Sequence, residues 1–216
     1  PHDREHTEIR RAIRDLCSSF PSEYWHKVEA ESGYPVEFVK ALTEAGWLSA
    51  LIPEEYGGVG ASMTEASVIM EEINRSGANS GACHAQMYIM GALVRHGSDE
   101  QKNKYLPKIA SGALSLQSFA VTEPNAGTDT SKTKTFAEKK GDRYIVNGQK
   151  VFISRVPHSD LMLLLARTTP LADVEKKTDG MSVFLVELAD HAKRGMIERP
   201  IANMVNHETS ELFFDD

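Results

Sequence analysis

Residues Phe119-Ala120-Val121-Thr122-Glu123-Pro124-Asn125-Ala126-Gly127-Thr128-Asp129 hold the densest chemistry in the sequence. An apolar run stops, the chain bends at Pro124 and again at Gly127, and hydroxyls flank the bend at Thr122 and Thr128. Such a loop presents main-chain N–H groups and hydroxyls to an electron-rich ligand. A flat heteroaromatic ring needs that surface, because each polar atom on its edge must find a partner once water is removed. The same Pro/Gly/Thr composition also describes an ordinary β-loop, so composition alone leaves both readings open. Glu123, inside the bend, reads as a carboxylate that pairs with a cation or caps the loop. Cys17 and Cys83 are the only cysteines. They show no CxxC or Cys/His ligand spacing, so neither a disulfide scaffold nor a zinc site is expected. They read as reduced, buried thiols of a cytoplasmic or mitochondrial matrix-type compartment.

The elements that must carry this loop change character near residue 112. Before it, the apolar period is helical. Ile9, Ile13, Leu16 and Phe20 recur at three and four. Pro35 suits a first helical turn, with Val36, Val39 and Leu42 on one face and Gly46 as the stop. Ser62-Met63-Thr64-Glu65 has capping-box spacing ahead of Ala66, Ile69, Met70 and Ile73. Helices are further expected from about Ser80 to His96, and from a capped start at Ser98-Asp99-Glu100-Gln101 through Tyr105, Leu106 and Ile109 to Gly112. After Gly112 the pattern is strand-like: Leu114–Val121, Lys132–Glu138, Arg143–Val146, Lys150–Ser154, Leu161–Ala166, Met181–Glu187, and more weakly Ile197–Ile201 and Glu211–Phe214. Gly141-Asp142 reads as a turn. Asn147-Gly148 reads as a two-residue hairpin turn, because both positions tolerate positive φ.

Composition sets the outer limits. The chain has 216 residues, with 24 Lys and Arg against 31 Asp and Glu, a net charge of −7 that disfavours a general phosphate-backbone binder. No run approaches the roughly 18 apolar residues of a membrane span, and the charged segment 1–14 lacks the apolar core of a signal peptide. There is no G-x-G-x-x-G, no P-loop and no βαβ alternation. Helices first and strands afterwards predict an α+β chain, an all-helical domain at 1–112 followed by a β domain at 113–216.

Four blocks, in order, resemble the acyl-CoA dehydrogenase family. Ile52-Pro53-Glu54-Glu55-Tyr56-Gly57-Gly58 matches its P-E-E-Y-G-G turn. Gly97-Ser98-Asp99-Glu100-Gln101-Lys102 with Tyr105-Leu106-Pro107 resembles its G-x-x-x-Q-K…Y-L-P. Val121 to Asp129 resembles its signature V-T-E-P-x-A-G-S-D. Tyr144 to Ser154 resembles Y-x-I-N-G-x-K-x-W-I-T/S. The resemblance covers essentially the whole chain. It implies that the β domain is antiparallel and barrel-like, and that the family's C-terminal four-helix bundle is absent from these 216 residues.

The resemblance also implies FAD as cofactor and α,β-dehydrogenation of an acyl-CoA substrate to the trans-2-enoyl-CoA. Electrons would pass to an electron-transfer flavoprotein, and the assembly would be a homotetramer in fatty-acid β-oxidation. Residues bordering the flavin would be Phe119, Val121, Thr122, Gly127, Thr128, Phe152, Ile153 and Ser154. Thr122 would meet the pyrimidine side of the ring and Ser154 its N5. Phe152, in place of the usual Trp, would cover a face. Thr128, in place of Ser, would lie near the pyrophosphate and the thioester, binding substrate as well. Met87 and Tyr88 lie on the helix that lines the family's acyl pocket, so Met87 is a substrate-binding candidate; the plain alternative is a helix core face. The family's catalytic base is a Glu of the missing bundle, so no catalytic residue is assigned here; Glu123 is the tempting substitute. Arg155-Val156-Pro157-His158 departs from the family's small residues. Arg155 is expected in solvent or beside an acid, and His158 on the surface. Lys102, Lys104 and Lys108 read as a solvated face. An acyl-CoA oxidase or flavin monooxygenase of the same fold, or a catalytically silent flavin- or acyl-CoA-binding fragment, fits the same residues.

Overall fold

The computed structural model describes residues 5–189, 191–205 and 207–216. The chain divides into two compact units, 1–116 and 117–216. The first unit contains α1 (Thr7–Ser18), α2 (Ser22–Ala30), α3 (Val36–Glu44), α4 (Met63–Arg75), α5 (Gly81–His96) and α6 (Asp99–Ala110). Both expected capping boxes form. The Ser62 Oγ accepts from the Glu65 amide and the Glu65 carboxylate accepts from Ser62 N–H at 2.7 Å; Ser98 and Gln101 repeat the exchange at the head of α6. The apolar stripes meet in a core of Ile13, Cys17, Phe38, Leu42, Ile69, Ile73, Cys83 and Met87. Both cysteines are buried free thiols, as expected.

One element has no counterpart in the sequence reading. α2 buries none of its residues and therefore lacks a stripe. Its Tyr24 and Trp25 instead pack edge-on against each other, and against Phe20 and Phe38 respectively, with centroids 4.9–5.1 Å apart. A buried carboxylate ties α1 to α4. Glu72 accepts from Arg10 Nη1 and Arg14 Nε, each at 2.6 Å. The Arg14 guanidinium acts against the penalty of burial, and with Arg10 it holds the Glu72 carboxyl down at about 2.

Among the described residues the second unit forms a sheet of seven strands: β1 (Leu116–Ala120), β2 (Phe136–Lys140), β3 (Arg143–Ser154), β4 (Leu161–Arg167), β5 (Met181–Glu187), β6 (Met196–Pro200) and β7 (Thr209–Phe214). The order is β1-β4-β2-β3-β7-β6, with β5 also on β4. Pairings β2/β3, β3/β7, β4/β5 and β6/β7 are antiparallel, and a short parallel contact joins Phe136 to Arg167. The sheet is therefore mixed, and its core gathers Ala120, Ile153, Val156, Met162, Leu164, Leu188, Met196 and Leu212.

The Asn147-Gly148 hairpin does not form. β3 runs unbroken through both residues, and the β2–β3 hairpin closes at Gly141-Asp142, with Lys140 paired to Arg143. Gly148 has φ +152° for a different reason. A Cβ there would stand 2.6 Å from Thr135 Oγ1 and 2.7 Å from Thr135 Cα, so the glycine permits a close backbone approach within the sheet.

Candidate functional site

The site is built where the Thr122 loop meets the end of β3. Val151 N–H donates to the Thr122 carbonyl at 2.9 Å, so the two motif segments lie side by side. The loop closes on itself through reciprocal Glu123 and Ala126 main-chain bonds of 2.9 and 3.1 Å. Opposite it, β3 breaks register against β7 between Lys150 and Ile153. Phe152 occupies this bulge with φ 60°, and its ring is turned outward, 64% exposed. A bulge re-aims one side chain in this way and leaves its neighbours in the pleat.

Behind the loop lies a buried ion pair. Lys150 Nζ, wholly buried, donates to Glu123 Oε1 at 2.8 Å and to the Val121 carbonyl at 2.9 Å. The Glu123 carboxylate also accepts from Lys134 N–H at 2.7 Å and Thr135 N–H at 3.0 Å. Burial pushes this carboxyl up. The Lys150 ammonium, with Thr135 and the two amides, outweighs burial and leaves Glu123 below its usual value. Glu123 is thus a buried structural anion that organises residues 121–135 and already accepts from Lys150, Lys134 N–H and Thr135 N–H.

The sequence candidates divide clearly. Phe119, Val121, Thr122 and Ser154 are half-buried; Gly127, Thr128 and Phe152 are exposed. The hydroxyls of Thr122 and Thr128 are engaged with no other described residue. Ile153 is 2% exposed, and its side chain belongs to the core, so only its main chain can face a ligand. Asp129 caps the short turn Thr130–Lys132 by accepting from Ser131. Met87, in the helical unit, is buried at 4% with its Sδ 4.0 Å from Cys83 Sγ. It also borders a groove of about 510 Å³ between α4 and α5, which Tyr88 lines as well. Arg155 is not solvated. It takes a left-handed φ of 63°, donates its N–H to the Glu208 carbonyl at 2.8 Å, and places a buried guanidinium 3.4 Å from the Glu208 carboxylate. His158 is exposed on the turn Val156–His158, as expected.

Two residues escaped the sequence reading. Lys150 was visible only as a motif letter, and Arg167, which ends β4, was not singled out. Arg167 is buried and donates to four main-chain carbonyls. The available signal for both is a long cation at the end of, or inside, an apolar strand, where the pleat turns it inward.

The donor set suits a flat ring that carries hydrogen-bond acceptors on its edge. Uncommitted hydroxyls stand at Thr122 and Thr128, an exposed aromatic at Phe152, and the nearest carboxylate is neutralised from behind by Lys150. Among the described residues no cluster of His, Cys, Asp or Glu could hold a metal ion, and no helix is long and apolar enough to cross a membrane.

Comparison with known proteins identifies the family. Residues 3–113 match the profile of the acyl-CoA dehydrogenase N-terminal domain, and residues 118–216 that of its middle domain. The chain is 34% identical over 211 residues to a 3-(aryl)acrylate reductase of Clostridium sporogenes, covering 93% of this chain and 55% of that protein. It is 30% identical over 216 residues to a short-chain-specific acyl-CoA dehydrogenase of Clostridium acetobutylicum, covering 99% and 55%. The solved acyl-CoA dehydrogenase of Geobacillus kaustophilus superposes with a TM-score of 0.87 at 32% identity, over 99% of this chain and 56% of that one. The chain spans about half the length of the curated relatives it matches. With both its domains matched in order and its fold reproduced, the chain belongs to the acyl-CoA dehydrogenase family.

Proposed function

We propose that this chain forms the helical and β portions of an FAD-dependent enzyme that desaturates an acyl-CoA between its α and β carbons. The observation that carries this reading is the meeting of the Thr122 loop with the Phe152 bulge, joined through Val151 and Thr122, with two hydroxyls left uncommitted on that rim. Bound FAD supplies a two-electron acceptor at its N5. Thr122 and the main chain of Val121 and Ile153 would border the ring, Ser154 would lie on its N5 side, and the outward-turned Phe152 ring would cover one face. Phe119 and Gly127 complete the border. Thr128 sits toward the pyrophosphate and the thioester, where a hydroxyl can orient the acyl group; Met87 belongs to the acyl side. A polarised thioester carbonyl makes the α-proton acidic enough to leave.

The base that takes that proton lies outside these 216 residues. Glu123, committed to Lys150 and two amides, does not serve. As the resemblance implies, electrons pass to an electron-transfer flavoprotein, and four copies assemble.

The test uses the full-length protein. It should carry oxidised flavin, and anaerobic addition of acyl-CoAs of graded chain length should bleach it. A flavin that stays oxidised with every acyl-CoA refutes the reading. Peroxide released in air without an electron-transfer partner would instead assign an oxidase.

A further inference from the structure

Arg167 has a buried guanidinium, 3% exposed, whose hydrogen bonds all run to main-chain carbonyls. Nε donates to Thr133 O at 3.0 Å and Nη2 to Ser131 O at 2.7 Å. On its other side Nη2 donates to Lys177 O at 2.6 Å and Nη1 to Asp179 O at 3.1 Å. Four of the five N–H bonds of an arginine are thus used, two on each of two loops. The first loop is the continuation of the Thr128 turn. The second is the β4–β5 connection, residues 168–180, which no motif of the site includes.

The clamp acts on a segment whose other hydrogen bonds are local, within residues 125–133. Residues 131–133 form no strand. Their three successive carbonyls are held by side chains: Ser131 and Thr133 by Arg167, and Lys132 by Asn125 Nδ2 at 2.9 Å. Asp129 and Thr130 then lead directly back to Thr128. The main chain of Arg167 adds a bond from its N–H to Thr135 O at 2.8 Å, at the point where β4 touches β2. A planar fork can span two loops with fixed angles, whereas a lysine ammonium reaches from a single point.

We propose that Arg167 is a positioning residue for the Thr128 side of the ligand site, and that it couples the β4–β5 loop to ligand affinity. The inference rests on the proposed function, in which Thr128 faces the pyrophosphate and thioester. Ser154 is held separately, paired with Thr209 of β7, so the effect of losing the fork falls on binding at the Thr128 side.

The experiment compares wild-type, Arg167→Lys and Arg167→Met full-length holoenzymes, with hydrogen exchange of the wild-type protein alongside. Arg167→Lys retains the charge and should raise the KM for acyl-CoA about tenfold while kcat changes by less than about threefold, the signature of lost uniform binding. Addition of FAD to the wild-type apoprotein, and then of CoA thioester, should slow exchange at 130–133 and 176–180 together. An unchanged KM in a merely less stable Arg167→Lys variant overturns the proposal. If neither variant folds, protection that appears at 130–133 and leaves 176–180 unaffected overturns it as well. A wild-type enzyme whose flavin no acyl-CoA bleaches overturns the functional reading and this inference together, and so is distinguishable from failure of Arg167 alone.

Discussion

Replacing Lys150 by Met probes the frame behind the loop most directly. The side chains are similar in length, but the ammonium that meets Glu123 Oε1 at 2.8 Å is gone. Glu123, with its side chain 2% exposed, remains buried with two amide donors and no counter-charge. Removing one partner of a buried pair costs about 3–5 kcal/mol, and the Val121 carbonyl loses a donor too. The pH dependence carries the sharper signature. In the wild type Glu123 titrates below its ordinary 4.5, so its contribution to stability is present above that pH and is lost as pH falls. Without Lys150, burial raises the folded-state value above the unfolded one, and the carboxyl destabilises the fold increasingly as pH rises. The stability difference between the two proteins should therefore be largest near neutrality and shrink below about pH 4.5. Denaturant midpoints measured across pH give this difference, and hydrogen exchange at Lys134 and Thr135 localises it. A difference under about 1 kcal/mol that does not vary with pH would refute the reasoning, because it would mean that neither charge is desolvated.

Three further outcomes are expected. Phe152→Gly should raise thermal stability by about 1 kcal/mol, because a non-glycine residue at φ 60° is strained and the ring is largely exposed; FAD affinity should fall about tenfold with the lost ring face, measured by titrating the apoprotein. Gly148→Ala should destabilise by about 1–3 kcal/mol, because its Cβ would overlap Thr135 Cα, which cannot move aside as a side-chain tip could; thermal melts check this. The helical unit should lose stability as pH falls from 4.5 toward about 2, since unfolded Glu72 binds a proton that the folded carboxylate between Arg14 and Arg10 refuses. Fluorescence of Trp25 and Trp47, both in that unit, should follow the loss, and Glu72→Gln should flatten its pH slope.

The sequence disclosed features whose cause is local. Ser62 with Glu65, and Ser98 with Gln101, announce their helices because a capping box needs only residues three apart. The strands from Leu161 and Met181 were legible because a buried strand is a short apolar run between turn signals. Asn147-Gly148 misled for an instructive reason. A glycine that serves a turn and a glycine that admits a neighbouring strand look identical in one dimension; only the position of Thr135 distinguishes them. α2 was invisible because its contacts are aromatic edges, without a stripe. At the site, the motif residues were recognisable as a resemblance, but the burial of Lys150, Arg155 and Arg167 was not. Long cations default to solvent, and their partners here are main-chain carbonyls or carboxylates brought in from loops.

These buried charges answer a requirement that apolar packing cannot meet. Residues 121–135 are irregular, so their carbonyls and amides find no regular ladder, and an unpartnered main-chain group under cover of the sheet would cost about 1–3 kcal/mol. If Thr122 and Thr128 satisfied those groups, their hydroxyls would be unavailable to a ligand. The loop is instead served from behind: Lys150 takes Val121 O, Glu123 takes the amides of 134 and 135, Asn125 takes Lys132 O, and Arg167 takes the carbonyls of 131 and 133. Long charged side chains reach these groups while the small hydroxyl residues stay on the outer rim. A simple buried pair can be replaced by hydrophobic residues of equal volume, but replacing Lys150, Glu123 and Arg167 here would strand five main-chain groups of residues 121–135 and release the loop. The burial of Lys150, Glu123 and Arg167 is thus the counterpart of the freedom of Thr122 and Thr128, and the two features should be lost together.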